Sequence, residues 1–362
     1  MKHKLSGILN DKHRQVIHAV VEEFSVMPLS DQSVAMQLMP MTDVPAAILE
    51  HEIISAYGGK TNERVMNAPG KTIPGNSSES KIYKPGSYQE SIPFFERDLL
   101  SLRKFGTLGD RGVTGLTSGE LDQVSRAADK LQLRLINRAH DLIWKALFND
   151  TFTYQGVVKT FGRPAQNTIT AATDWATPAG DPFADLVALF GQNPVIRKYK
   201  KAITKMIINP KTAADIVLRA LERGYITNAN IGSADINEVM KFAAPGLPMF
   251  EVVDDAIQEE TIDSVTQETS LGDAEYLVPD NKLLLVIDFN KRGLLFPKYG
   301  ELQITENMND PSATIERPAV GMYTFLDEIG LQQKKSPHVE VVAGFNGGPN
   351  HMRPFDTLII EY

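Results

Sequence analysis

The sequence predicts an α+β fold in which one long helix and a mixed α/β unit are tied together by many strands. Three observations carry this prediction. Thr117-Ser118-Gly119-Glu120 has the spacing of a capping box and opens a long apolar stripe. Helices begun by Asp181-Pro182 and Asn209-Pro210 flank an apolar strand, and the last third of the chain is strand-rich.

Composition sets the bounds. The 362 residues exceed the roughly 150 typical of one domain, so two domains or one with large insertions are expected. With 42% apolar and 23% charged residues, the chain has the make-up of a folded globular protein. The absence of cysteine excludes disulfides, thiolate metal sites and a cysteine nucleophile. Met1 to Asn10 holds no apolar signal run, and no segment reaches the roughly 18 apolar residues of a membrane span, which predicts a soluble chain with no membrane partner. A net charge of -8 argues against a dedicated nucleic-acid binder. From Glu251 to Arg317 there are 15 acidic and 5 basic residues, a net of -10, whereas Arg197, Lys198, Lys200, Lys201 and Lys205 form a basic run. Both are read as solvated faces.

Residues 1–47 read as an arm. Val16, Val20, Val21 and Phe24 suggest one short helix, and Met27, Met36, Met39 and Met41 follow among Pro28, Pro40 and Pro45. Methionine adapts to irregular apolar surface, so these residues either dock on a neighbouring element or fill the subunit's own core. Residues 48–116 read as a long loop with strand flanks. Ile48, Ile53, Ile54 and Tyr57 end at Gly58-Gly59, Val65 to Gln89 shows no pattern that builds a core, and alternation resumes at Ile92, Phe94 and Phe95.

The stripe after Thr117 is Leu121, Val124, Ala128, Leu131, Leu135, Ala139, Leu142 and Ala146, which predicts a beam-like spine helix ending at Asn149-Asp150. Thr151 to Phe161 alternates like a hairpin, and Asn167 to Thr177 reads as an irregular connection. A helix from Asp181 to Phe190, a strand Ile203 to Ile208 and a helix from Asn209 to about Arg223 follow. The remaining strands are Met249–Val253, Leu283–Phe289, Leu294–Pro297, Met322–Ile329, His338–Ala343 and Leu358–Glu361. No fixed-period repeat is present, which disfavours solenoids and propellers.

Chemistry is sparse. Gly70-Lys71-Thr72 resembles the end of a phosphate loop, but Val65 stands where the leading glycine is needed. Neither G-x-G-x-x-G nor G-x-S-x-G occurs, and His51-Glu52 lacks the second histidine of a zinc-binding helix. His13 and His18 fall on different helix faces. Asp254-Asp255 and Glu259-Glu260 are adjacent pairs whose side chains diverge, so they do not form a convergent acid–base pair. Trp144 and Trp175 read as packing anchors. No catalytic site, metal site or cofactor is predicted.

The order of elements resembles the tailed-phage major capsid fold, most closely the phage lambda head-protein family. The quoted segments are Gly58-Gly59-Lys60-Thr61, Ala68-Pro69-Gly70 and Lys84-Pro85-Gly86 in the extended loop. Asp150-Thr151-Phe152-Thr153-Tyr154, Asn167-Thr168-Ile169-Thr170 with Trp175, Ile208-Asn209-Pro210-Lys211 and Val278-Pro279-Asp280-Asn281 follow in order. The resemblance spans about Ile48 to Tyr362 and implies an arm (1–47), extended loop with flanking strands (48–116), peripheral domain with spine helix (117–178), axial domain (179–315) and strands returning to the core (316–362). It further implies that Gly58, Gly59, Lys60, Arg64, Pro69, Gly70, Lys84, Pro85 and Gly86 contact a neighbouring subunit, over a spine core of Leu121, Val124, Leu131, Leu135 and Leu142.

The implied function is self-assembly into hexamers and pentamers of an icosahedral head that encloses double-stranded DNA. Its implied partners are a portal, a scaffolding protein separate from this chain, and a decoration protein at threefold positions. Assembly is expected in the host cytoplasm, and the acidic balance suits a container whose wall should not hold phosphate. Two alternatives stand beside it. A bacterial nanocompartment shell of the same fold would enclose a cargo enzyme, and a soluble α/β enzyme would run as a small oligomer.

Overall fold

The computed structural model of the chain describes residues 33–44, 49–54, 78–83, 86–95, 118–226, 236–262, 269–287, 292–297, 302–305, 314–317, 322–329 and 338–362. A short helix α1 (Val34–Leu38) precedes the spine helix α2 (Ser118–Asn149). The spine has 32 residues, about 48 Å at 1.5 Å per residue. Its first helical residue follows Thr117, where the capping box places the start. Leu131, Leu135, Ala139, Leu142 and Ala146 are buried at helical spacing, while Asp129, Lys130 and Lys145 are exposed. The side chains of Leu121 and Val124 lie outside the described residues, as does Thr117.

The spine stops at Asp150, whose φ of 57° is left-handed. Asp150 Oδ2 accepts the N–H groups of Gly162 at 2.8 Å and Arg163 at 2.7 Å. The Arg163 guanidinium donates to the carbonyls of Leu147 and Phe148, placing a cation on the unsatisfied end of the helix. The expected hairpin is β5 (Thr151–Tyr154) and β6 (Val157–Thr160). Gln155 and Gly156 make its two-residue turn with φ of 49° and 77°, positive at both positions.

One sheet runs along the spine. Its strands are β1 (Met41–Val44), β13 (Arg292–Pro297), β17 (His338–His351) and β16 (Met322–Ile329), with β4 (Gly86–Phe95) also paired to β17. Ala35, Met36, Leu38 and Met39 are buried in the same core, so Met36 and Met39 fill the core of their own subunit. Residues 1–32, including Val16, Val20, Val21, Phe24 and Met27, lie outside the described residues.

The second sheet has the order β7 (Thr168–Thr170), β18 (Thr357–Glu361), β12 (Lys282–Val286), β8 (Lys205–Ile208), β9 (Met249–Val252). Helices α3 (Pro182–Gln192), α4 (Pro194–Tyr199), α5 (Pro210–Glu222) and α6 (Ile236–Ala243) accompany it. Met206, Ile208, Leu283, Leu285, Leu358 and Ile360 pack in the core with α3 to α6. The alternate residues Ile207, Leu284, Val286 and Ile359 pack in the spine core. Burial on both faces accounts for the nearly continuous apolar runs of these strands.

Several expectations are corrected. The Val65 to Gln89 stretch, read as patternless, contains β3 (Ser78–Tyr83) and the start of β4. β3 pairs with β2 (Leu49–Ile54) and β4 with β17 through backbone hydrogen bonds, which need no apolar alternation. The irregular connection holds β7, which precedes residue 179 yet belongs to the second sheet. β13 precedes residue 315 yet belongs to the first. α6, β10 (Ala256–Ile262), β11 (Thr269–Tyr276), β14 (Leu302–Thr305) and β15 (Thr314–Arg317) are additional elements.

Candidate assembly surfaces

The root of the extended loop is bolted to the spine by β4. The Tyr88 ring lies 5.0 Å from Phe345 and 5.8 Å, edge-on, from Tyr154, and Arg138 stands 5.0 Å over its face. Burial raises the Tyr88 phenol pKa, against the pull of Arg138. Arg134 forms a forked ion pair with Glu90, its Nη2 donating at 3.0 Å. Gly86 is buried and pairs with Gly347 within the chain. A Cβ at Gly86 would lie 2.6 Å from the Tyr88 ring, so glycine is what lets that ring fold back along the strand. Of the residues expected to contact a neighbour, only Gly86 is described; Gly58, Gly59, Lys60, Arg64, Pro69, Gly70, Lys84 and Pro85 lie outside.

A second bolt holds α1 to the spine. Ser33 Oγ caps α1 by accepting the Met36 N–H at 3.3 Å, and it lies 3.1 Å from His140 Nε2. His140 Nδ1 is 3.6 Å from Asp255 Oδ2, and the Trp144 indole N–H donates to that oxygen at 2.9 Å. Serine, histidine and aspartate here follow the order of a hydrolytic triad. Ser33 is engaged as a helix cap, and His140 is only 7% exposed. The group instead joins α1, the spine and the β9–β10 connection.

In the α/β unit, Asp185 Oδ2 accepts the Thr173 N–H at 3.0 Å, the Thr173 hydroxyl at 2.6 Å and the Trp175 indole N–H at 3.0 Å. The Trp175 ring stacks on Tyr362 with centroids 4.5 Å apart. Asn209 Oδ1 caps α5 by accepting the Thr212 N–H at 2.7 Å, while its amide donates to the Val278 carbonyl at 3.2 Å. Lys211 pairs with Asp280. Burial pushes the Tyr362 phenol up to about 12, with Asp215 adding to the shift.

A shallow cleft of about 370 Å³ beside the end of the spine is lined by Arg138, Asp141, Lys145 and Phe152. Both of its cations are held by Asp141, at 2.9 and 2.8 Å. Among the described residues there is no cluster of three or more metal-ligating side chains, and no helix is long and apolar enough to cross a membrane. The surface instead offers large apolar side chains: Phe242 is 82% exposed, Val157 71%, Leu271 61% and Val158 60%.

No family model matches the chain, and no curated protein matches it in sequence. Solved structures do. The putative capsid protein of a prophage of E. coli CFT073 is 11% identical, with a TM-score of 0.51 over 96% of this chain and 98% of that one. The capsid of Myoviridae phage XM1 gives 10% identity and a TM-score of 0.47 over 94% and 97% of the two chains. A virus-like particle from Pyrococcus furiosus gives 10% and 0.45 over 97% and 100%. The first of these likenesses shows the fold: the chain has the α+β architecture of tailed-phage capsid subunits.

Proposed function

We propose that this chain is the shell-building subunit of a tailed-phage head, assembling as hexamers and pentamers into an icosahedral particle around double-stranded DNA. The observation that carries this reading is a set of three two-stranded ribbons, β2–β3, β10–β11 and β14–β15, none of which continues into a larger sheet among the described residues. A lone ribbon is marginal in water. Surface from sister copies completes such elements, and many weak contacts then add up in a closed shell.

In the lambda-like arrangement the spine and late strands lie peripherally, residues 179–315 lie axially, and the loop residues Gly58 to Gly86 reach a neighbour. A separate scaffolding protein, a portal and a decoration protein are the partners of that assembly. DNA is enclosed without sequence-specific binding, and the subunit acts without a catalytic site. It is assembled in the host cytoplasm and resides in the virion.

Negative-stain imaging and mass measurement of the purified full-length chain test this. Closed particles that package DNA in an infected cell are expected, whereas a cargo enzyme inside them would identify a nanocompartment. A small, soluble oligomer under every assembly condition would refute the shell altogether. Deleting residues 55–77 while keeping β2 and β3 is expected to leave a folded subunit that builds no closed shell. Normal particles from that variant would remove the loop from the mechanism.

A further inference from the structure

The β10–β11 ribbon is anchored at its base and uncovered beyond it. Val253 and Val278 are buried in the spine core, and the Leu277 N–H donates to the Asp255 carbonyl. From there the strands pair antiparallel out to Ile262 and Thr269. Every residue from Ser270 to Tyr276 is exposed, so neither face of β11 packs on its own subunit. The two strands carry Glu259, Glu260, Asp273 and Glu275 and no lysine or arginine. The register slips by one residue between Gln258 and Glu260, so Leu271 stands opposite Glu260 and Glu275 opposite Ile257, on different faces of the ribbon. The exposed strand offers two carboxylates, Asp273 and Glu275, with no basic residue beside them, and is suited to a partner that brings positive charge.

Such a surface exists elsewhere on the same chain. Arg197, Lys198, Lys200 and Lys201, at the end of α4, are all exposed. No acidic residue occurs between Asp185 and Asp215 to neutralise them locally. Lys205 is already paired with Glu251 at 2.7 Å. Arg197, Lys200 and Lys201 form no ion pair among the described residues.

We infer that in the assembled shell the β10–β11 ribbon of one copy docks on the Arg197–Lys201 corner of a second copy. This rests on the shell reading above. One chain carries both halves of the contact, so the interaction is head-to-tail and closes when copies are related by rotation. Exposed charge pairs of this kind fix register and speed encounter more than they add affinity. Their repetition once per subunit makes them count, and added salt weakens them.

The test reverses charge on each side of the full-length chain: Lys200→Glu with Lys201→Glu, and separately Asp273→Lys with Glu275→Lys. All four positions are exposed, so melting temperatures are expected to stay within about 2 °C of the parent. Each double variant is expected to lose the particle peak in sedimentation, and the chain carrying all four changes is expected to regain it. Parental yields from either double variant overturn this contact while leaving the shell reading intact. So does a quadruple variant that melts normally but does not recover. Empty shells from the corner-reversed chain would mark the corner as a DNA surface and likewise overturn the contact. If the unmodified chain forms no particle, it is the shell reading that fails. Should a reversal lower the melting temperature, the neutral pair Lys200→Gln with Lys201→Gln replaces it. Parental assembly is expected to weaken with sodium chloride and the neutral pair to lose that dependence; salt-independent parental assembly overturns the contact.

Discussion

Replacing Asp185 by alanine removes the acceptor that organises the connection into α3. Its Oδ2 takes three hydrogen bonds, two from Thr173 and one from the Trp175 indole. Thr173 is half-buried, so water entering the vacated space re-solvates its two donors. Trp175 is fully buried, and its N–H loses its acceptor. A hydrogen bond to a charged group contributes about 1.5–3 kcal/mol, and a stranded buried donor costs about 1–3 kcal/mol. One bond lost at full cost and two largely replaced give a destabilisation of about 3 kcal/mol. Urea unfolding of dissociated subunits, followed by tryptophan fluorescence, measures it. Asp185→Asn keeps a carbonyl oxygen for one donor and is expected to lose about half as much. A loss below about 1 kcal/mol for Asp185→Ala would show that the indole finds another acceptor and that this carboxylate does not hold the connection.

Three further substitutions probe other parts of the framework. A Cβ at Gly180 would lie 2.4 Å from the Asp174 carbonyl oxygen and 2.8 Å from Trp175 Cα; Gly180→Ala is expected to cost about 1–3 kcal/mol by calorimetry, since backbone must move. Leu135 is 3% exposed on the buried stripe, so Leu135→Asp strands a charge in the core and is expected to abolish the cooperative melt; a parental melting profile would take that position out of the core. Tyr362 titrates near 12 in the folded chain against about 10 when unfolded. The folded state therefore favours the protonated phenol, and that stabilisation is complete below about pH 10 and lost as pH rises through about 12. Urea midpoints measured between those values should fall for the parent and show a smaller fall for Tyr362→Phe.

Helix starts were the most legible features because each is a local device. Asp181 accepts the Ala184 N–H at 3.0 Å and Asn209 the Thr212 N–H, with proline next in both cases. The spine stripe was equally plain, since Leu131, Leu135 and Leu142 recur at one period. β11 escaped because it buries nothing and so shows no apolar alternation. α6 escaped because its eight residues bury only Ile236, Val239 and Met240, too few to establish a period. Neither bolt was visible, because Ser33 and His140 lie 107 positions apart and Arg134 and Glu90 lie 44 apart. Such contacts belong to the topology, and the topology depends on β17 accepting β4 and β13 from distant parts of the chain beside its sequence neighbour β16.

The double-sided sheet constrains how the subunit can change shape. Pulling the spine away from β8, β12 and β18 would uncover Ile207, Leu284, Val286 and Ile359, all at most 1% exposed. At about 1.5–3 kcal/mol per side chain this costs roughly 6–12 kcal/mol, comparable to the whole stability of a typical domain. Breaking the Trp144–Asp255 hydrogen bond would add to that cost. The spine and the α/β unit therefore move as one body, with no hinge between their cores. In the proposed shell, differences in curvature between neighbouring subunits would be taken up where burial is low, in the exposed parts of two-stranded ribbons such as β10–β11. Those are the same elements that sister copies are proposed to complete, so assembly and adjustment of shape draw on one set of contacts.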